Sequence, residues 1–99
     1  MRKATLISID LAKPIFQILG VSAEGKTLFK RWLNRIKLIE FISQHLACTI
    51  VMEACYSSHY WGRTFKKMGH AVKLIPAQLV TLFVQGNKNN KNDALAIYL

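Results

Sequence analysis

Asp10 closes the apolar run TLISID, Glu53 closes the strand-like part of CTIVMEAC, and Asp93 lies in the Asn/Lys-rich stretch NKNNKNDALAI. The whole chain holds only five carboxylates against fourteen Lys and Arg. An acid at the end of a hydrophobic strand is costly to desolvate unless something positive sits beside it. Two such acids in so basic a chain suggest a bound cation. Oxygen-only donors, no His-Cys cluster and a phosphate-bearing partner point to Mg2+ or Mn2+. A two-metal site holds its ions ~3.5–4 Å apart and stabilises the attacking and leaving oxygens of a phosphodiester. Such a site wants three or four carboxylates, with Asp93 as the third here. The plain alternative is that Glu53 caps the following helix and Asp10 simply ends a strand.

The elements that must position these acids can be read from the apolar pattern. Residues 4–10 and 15–21 are apolar runs, the second closed by the turn signal Ser22-Ala23-Glu24-Gly25. Residues 26–33 alternate loosely, with Leu28, Trp32 and Leu33 as apolar positions. Short links make these three an antiparallel meander. Leu38, Ile39, Ile42 and Leu46 fall at helical spacing, opposite Lys37, Glu40, Ser43 and Gln44. Residues 48–52 are β-branched and apolar, as in a strand buried on both faces. Ser57 or Ser58 can cap a second helix, striped by Trp61, Phe65 and Met68 and stopped at Gly69. Residues 70–75 are the fifth strand, and Pro76 suits the first turn of a third helix that buries Leu79, Val80, Phe83 and Val84.

The expected order is therefore β-β-β-α-β-α-β-α, an α/β ribonuclease-H-like (RuvC-like) mixed sheet with helices packed on it. The first and fourth strands are neighbours in this topology. At ~4.8 Å separation, acids at matching heights on both can share one cation. Residues 86–92 have little to bury and read as a polar loop before a last helix starting near Asn92 or Asp93. That helix has barely two turns before Leu99 and is marginal alone, so the chain reads as one domain, 1–99, of a longer protein.

Charge and cysteine content narrow the function class. The net charge of +9 and pI of about 10.0 favour a polyanion, with nucleic acid first and a merely soluble basic protein as the alternative. The 52% hydrophobic fraction supplies a core and argues against disorder. Cys48 and Cys55 sit in apolar surroundings and read as buried thiols of a reducing compartment, which makes a cytoplasmic location the expectation. No apolar run approaches the ~18 residues that cross a bilayer, and the Met-Arg-Lys start is followed by too short an apolar stretch for a signal peptide. His59 lies four after Cys55, but zinc would need further ligands. Tyr60 and Trp61 could stack on bases, although Trp61 falls on an apolar stripe and fits the core. Lys13, Lys88 and Lys91 lie near the acids in sequence and suit phosphate contacts, with solvated loop lysines as the alternative. Arg63, Lys66 and Lys67 form another basic face.

The stretches ISIDLAKPIFQILGV, VMEACYSSHYWGR, GHAVKLIPAQLV and GNKNNKNDALAI resemble the insertion-sequence transposases that carry a DEDD acidic tetrad in a RuvC-like domain. This is the insertion sequence one-ten group, which includes the Piv DNA invertase. The resemblance covers essentially the whole chain, and Glu-Ala-Cys followed by His-Tyr-Trp is its most distinctive part. It implies DNA as partner, an Mg2+ or Mn2+ cofactor, strand cleavage and recombination by the full-length protein, a homo-oligomer, and an element-encoded guide RNA as a further partner.

By position, Asp10 matches the first acid of the tetrad, Glu53 the second and Asp93 the fourth. The third falls on Asn90, whose amide oxygen can coordinate a cation but brings no charge. Family members also continue into a C-terminal domain with a serine nucleophile, which lies beyond Leu99. The expectation is a metal-binding domain that does not cut DNA alone. A truncated, inactive nucleic-acid-binding remnant is the alternative. Sugar kinases and actin-like ATPases also open with an acid-ended strand, but they need a Gly-rich phosphate loop where this chain has Leu11-Ala12-Lys13-Pro14.

Overall fold

The computed structural model describes residues 4–11, 14–76 and 79. Their elements follow the expected order as far as the fifth strand: β1 (Leu6–Asp10), β2 (Phe16–Val21), β3 (Thr27–Leu33), α1 (Arg35–Gln44), β4 (Thr49–Glu53), α2 (Ser58–Lys67) and β5 (Ala71–Ile75). Of the third helix only Leu79 is described, its N–H bonded to the Pro76 carbonyl at 2.9 Å. The 86–92 loop and the last helix lie outside the described residues.

The strands form one mixed sheet in the order β3-β2-β1-β4-β5. The meander β1-β2-β3 is antiparallel, and the α1 and α2 crossovers make β4 and β5 parallel to β1. The link between β2 and β3 turns at Gly25, whose φ of 85° suits a residue without a Cβ. Ser22 organises that turn: its carbonyl accepts from Gly25 N–H at 3.0 Å and its hydroxyl from Lys26 N–H at 3.1 Å.

Period-two alternation divides the central strands between two faces. Ile7 and Ile9 of β1, Ile18 of β2, and Ile50 and Met52 of β4 pack with Leu38 and Ile42 of α1 and Trp61 and Phe65 of α2. Leu6, Val21, Val51 and Ile75 form the second core on the other face, with Leu19 and Leu79 against it. Ile50, Val51 and Met52 are all fully buried, as expected of a strand covered on both sides.

Two local expectations fail. Leu46 is 56% exposed because α1 ends at Gln44, before the turn that would carry Leu46 back to the core. Ser57 is the N-cap residue of α2 but makes no side-chain cap bond. The neighbouring Ser58 instead donates its hydroxyl to the Cys55 carbonyl at 2.8 Å and accepts from Cys55 N–H at 3.1 Å. Gly69 ends α2 as expected, at φ 96°.

Gly20 is required by a close approach. It stands opposite Phe29 of β3, and a Cβ there would collide with the Phe29 ring. That ring lies across the strand and packs edge-on against Phe41 of α1 at 5.2 Å between centroids.

His70 ties three elements together. Its Nδ1 accepts from Cys48 N–H at 3.2 Å, so its Nε2 carries the proton and donates to the Ile42 carbonyl at 2.9 Å. This buried ring joins the end of α1 to the starts of β4 and β5. Cys48 and Cys55 are free thiols, only partly buried rather than fully so. Burial still pushes the Cys48 thiol from 9.0 up to about 11.

Three outcomes test this packing. Gly20→Ala should lower unfolding free energy by ~1–3 kcal/mol in urea titration, by overpacking against Phe29. His70→Leu should cost ~1–3 kcal/mol, because Cys48 N–H loses its acceptor while the Ile42 carbonyl keeps only the His45 N–H at 3.3 Å. Cys48 should alkylate at neutral pH roughly a hundred times more slowly than an ordinary thiol, since its raised pKa removes thiolate. The same shift makes stability fall as pH rises from 9.0 to about 11, where the unfolded chain gives up this proton first.

A candidate metal centre at the end of the central strands

β1 and β4 run parallel, so both end at the same edge of the sheet. Their register pairs Leu6 with Thr49, Ile7 with Ile50, Ser8 with Val51 and Ile9 with Met52. One step further sets Asp10 beside Glu53. Ile9 and Met52 both enter the helix-covered core, so alternation turns Asp10 and Glu53 to the opposite face. The two acids that the sequence singles out are therefore lateral neighbours on one face. Asp10 is exposed and Glu53 partly buried.

This placement removes the capping alternative for Glu53, because α2 begins at Ser58 and has no acid in its first turn. Like charges at matching positions on adjacent strands repel. A divalent cation held between them reverses the sign of that interaction. Mg2+ is commonly held by one or two carboxylates together with waters and substrate phosphates. An oxygen-only pair at a solvent-facing sheet end fits that donor set.

Of the remaining expected site residues, Lys13, Lys88, Asn90, Lys91 and Asp93 lie outside the described residues. Among the described residues no three His, Cys, Asp or Glu groups gather as a metal cluster. His59 is exposed on the first turn of α2. Trp61 is core, as its apolar stripe implied: it stacks on Phe65 with centroids 5.5 Å apart and meets Phe16 edge-on at 5.3 Å. Tyr60 is partly exposed and takes a hydrogen bond from the Arg35 guanidinium at 3.0 Å. That guanidinium also lies over both the Tyr60 and Trp61 rings, at 5.1 and 5.0 Å.

The register also brings in residues that sequence reasoning missed. Asp10 pairs with Gln17, and Gln17 with Trp32, so Trp32 stands in the same row as the acids. Lys30 and Lys73 stand one row back on the same face, opposite Leu19 and Val51. Trp32 counted only as an apolar position of a loosely alternating segment, and it is 60% exposed. The alternation of residues 27–33 held this signal, yet only the pairing with β2 says which face each residue takes.

Curated relatives are transposases by name. The chain is 42% identical over 91 residues to a probable family 20 transposase of Pseudomonas aeruginosa, covering 92% of this chain and 27% of that protein. It is 41% identical over 97 residues to the transposase of an insertion sequence element of Yersinia enterocolitica, covering 98% of this chain and 29% of that protein. To another such transposase, from Coxiella burnetii, it is 36% identical over 97 residues, covering 98% of this chain and 27% of that protein. The chain thus spans between 27% and 29% of the length of these relatives. No family model matches the chain, and no solved structure matches it.

Like-charge repulsion between Asp10 and Glu53 has a thermal signature. Glu53→Gln should leave the metal-free Tm unchanged or raise it. Saturating Mn2+ should raise the Tm of the parent chain clearly more than that of the variant, by the mass-action stabilisation of a ligand that binds only the folded state. Scanning calorimetry with and without Mn2+ reads both.

Proposed function

We propose that this chain is the part of an insertion-sequence transposase that holds a divalent cation against a DNA backbone, through Asp10 and Glu53, on a ribonuclease-H-like sheet. The observation that carries the reading is the shared edge and shared face of these two acids. The similarity to named transposases over most of the chain supports the substrate class. The net charge of +9 suits a polyphosphate partner.

Asp10 and Glu53 would supply two oxygen ligands, with Asp93 and the amide of Asn90 completing the set by position in the family pattern. When bound, Mg2+ or Mn2+ neutralises charge on phosphodiester oxygens and activates them toward displacement. The chain's own acids do the placing. Alone, they repel a phosphate; with their charge compensated, they fix where it sits. DNA binding at this edge is therefore cation-dependent. Lys13, Lys88 and Lys91 would contact flanking phosphates, which hold the strand without reading its sequence.

A second reading is favoured by one residue. Asn90 stands where the family pattern has an acid, so the ligand set is one charge short. Such a site binds a cation and a strand more readily than it drives two-metal cleavage, which gives a nucleic-acid-binding module rather than a nuclease.

Isothermal titration with Mn2+, paired with nicking of a supercoiled element-end plasmid, separates these readings. Asp10→Asn and Glu53→Gln should each weaken Mn2+ binding at least tenfold. Asn90→Asp should tighten it. Nicking by the parent chain in Mn2+ supports the nuclease, whereas nicking only after Asn90→Asp supports the binding module. Mn2+ affinity unchanged by both Asp10→Asn and Glu53→Gln overturns the metal centre itself.

A further inference from the structure

We infer that Trp32 and Lys30 form a stacking subsite for an unpaired base of the nucleic-acid strand that runs to the Asp10–Glu53 edge; this rests on the nucleic-acid reading proposed above. The rows of the sheet provide the geometry. Trp32, Gln17 and Asp10 pair in register across β3, β2 and β1 on one face, and the β1–β4 register carried one step past Ile9 and Met52 reaches Glu53. Trp32 lies two strand spacings from Asp10, ~10 Å. At 3.4 Å per nucleotide along a stacked strand, that distance spans roughly two or three nucleotides.

The state of the ring supports a ligand there. A tryptophan usually spends its large apolar area in a core or an interface. Trp61 does so, at 2% exposure, whereas Trp32, the next-to-last residue of β3, stays 60% exposed although it is paired with Gln17. The Lys30 ammonium sits 5.5 Å from the Trp32 ring centroid, over its face. The cation is thus placed to meet the phosphate of a nucleotide whose base stacks on the same ring.

The neighbours choose between classes of occupant. Trp32 is flanked on its face by Lys30 and Gln17, and Arg31 follows Lys30 on the strand. An apolar protein surface laid over Trp32 would have to desolvate that ammonium without compensation. A polyanion compensates it. Double-stranded DNA keeps its bases in the stack, so an exposed ring on a sheet face favours a single strand.

The test uses the 99-residue chain and a fluorescein-labelled 12-nucleotide oligothymidine, with the matching duplex for comparison. Single strand should quench the intrinsic emission of the parent chain, because the second tryptophan, Trp61, is buried. By anisotropy, Trp32→Ala should weaken single-strand binding about fivefold or more, with Trp32→Phe retaining most of it. Lys30→Ala should also weaken binding and lower the slope of log affinity against log salt by about 0.7. The duplex should bind no tighter than the single strand.

Unquenched emission, equal affinity of Trp32→Ala and parent, or no binding of either oligonucleotide would each overturn the subsite. Mn2+ binding lost in Asp10→Asn but intact in Trp32→Ala keeps the two claims separate. If the subsite fails while that pattern holds, the metal centre stands without it. If Mn2+ binding ignores Asp10 while Trp32 still stacks a base, the metal centre is the claim that falls.

Discussion

The parallel ladder between β1 and β4 is the constraint on which the rest of the molecule depends. It is one of the two inner pairings of the sheet, and its register serves two purposes at once. It sends Ile7, Ile9, Ile50 and Met52 into the core under the helices. By the same alternation it turns Asp10 and Glu53 out on the other face. Slipping either strand by one residue would drive a carboxylate toward Trp61 and Phe65, where nothing compensates its charge. The hydrophobic effect thus fixes the relative position of the two acids without any direct attraction between them. A site made of like charges needs an external source of order, and buried Ile, Val and Met side chains provide it.

Acids are scarce enough here for their placement to carry meaning. The exposed Lys37–Glu40 pair on α1, at 3.8 Å, is of the kind that contributes little to stability. Asp10 and Glu53, in contrast, stand side by side at the C-terminal end of two parallel strands, an edge where open α/β sheets commonly bind ligands. Gathering two of five carboxylates at one point costs folding free energy in a metal-free chain. Asp10 is exposed and Glu53 partly buried, so solvent reaches both. The same exposure leaves room for a hydrated cation and a phosphate.

Much of this was legible in the sequence because burial writes itself into residue type. The five strands and two helices follow apolar runs and 3.6-residue spacing, and the two acids announce themselves by ending apolar strands. What was hidden depends on contacts between distant segments. Nothing in sequence says that His70 accepts from Cys48 N–H and donates to the Ile42 carbonyl, since a lone histidine beside a strand has many possible partners. Ser57 and Ser58 have equal capping potential on paper, and the Cys55 turn takes Ser58. The exposure of Trp32 was likewise not legible, because loose alternation does not say which face of the edge strand β3 each residue takes. For Asn90, Asp93, Lys13, Lys88 and Lys91 the sequence pattern remains the sole argument.

The two faces of β3 show how one edge strand can serve both stability and recognition. Arg31 lies over the Phe41 ring at 5.6 Å on the face that carries α1, so its charge helps cover an aromatic contact of the core. Lys30, the residue before it, meets Trp32 on the opposite face, the one on which Leu79 packs against Leu6, Val21, Val51 and Ile75. The chemistry is the same cation-over-ring contact, but the context differs. On the helix side the ring's other surfaces are occupied by Phe29 and His45. On the other face the Trp32 ring is 60% exposed. Charges on an edge strand also discourage it from pairing with other strands. Lys30 and Arg31 therefore protect the edge whether or not a ligand is bound. What that protective role does not explain is the tryptophan: an exposed ring adds apolar surface to the edge that the lysines shield. A stacked base accounts for the ring and the cation together, and the shared row gives that base a path to the acids.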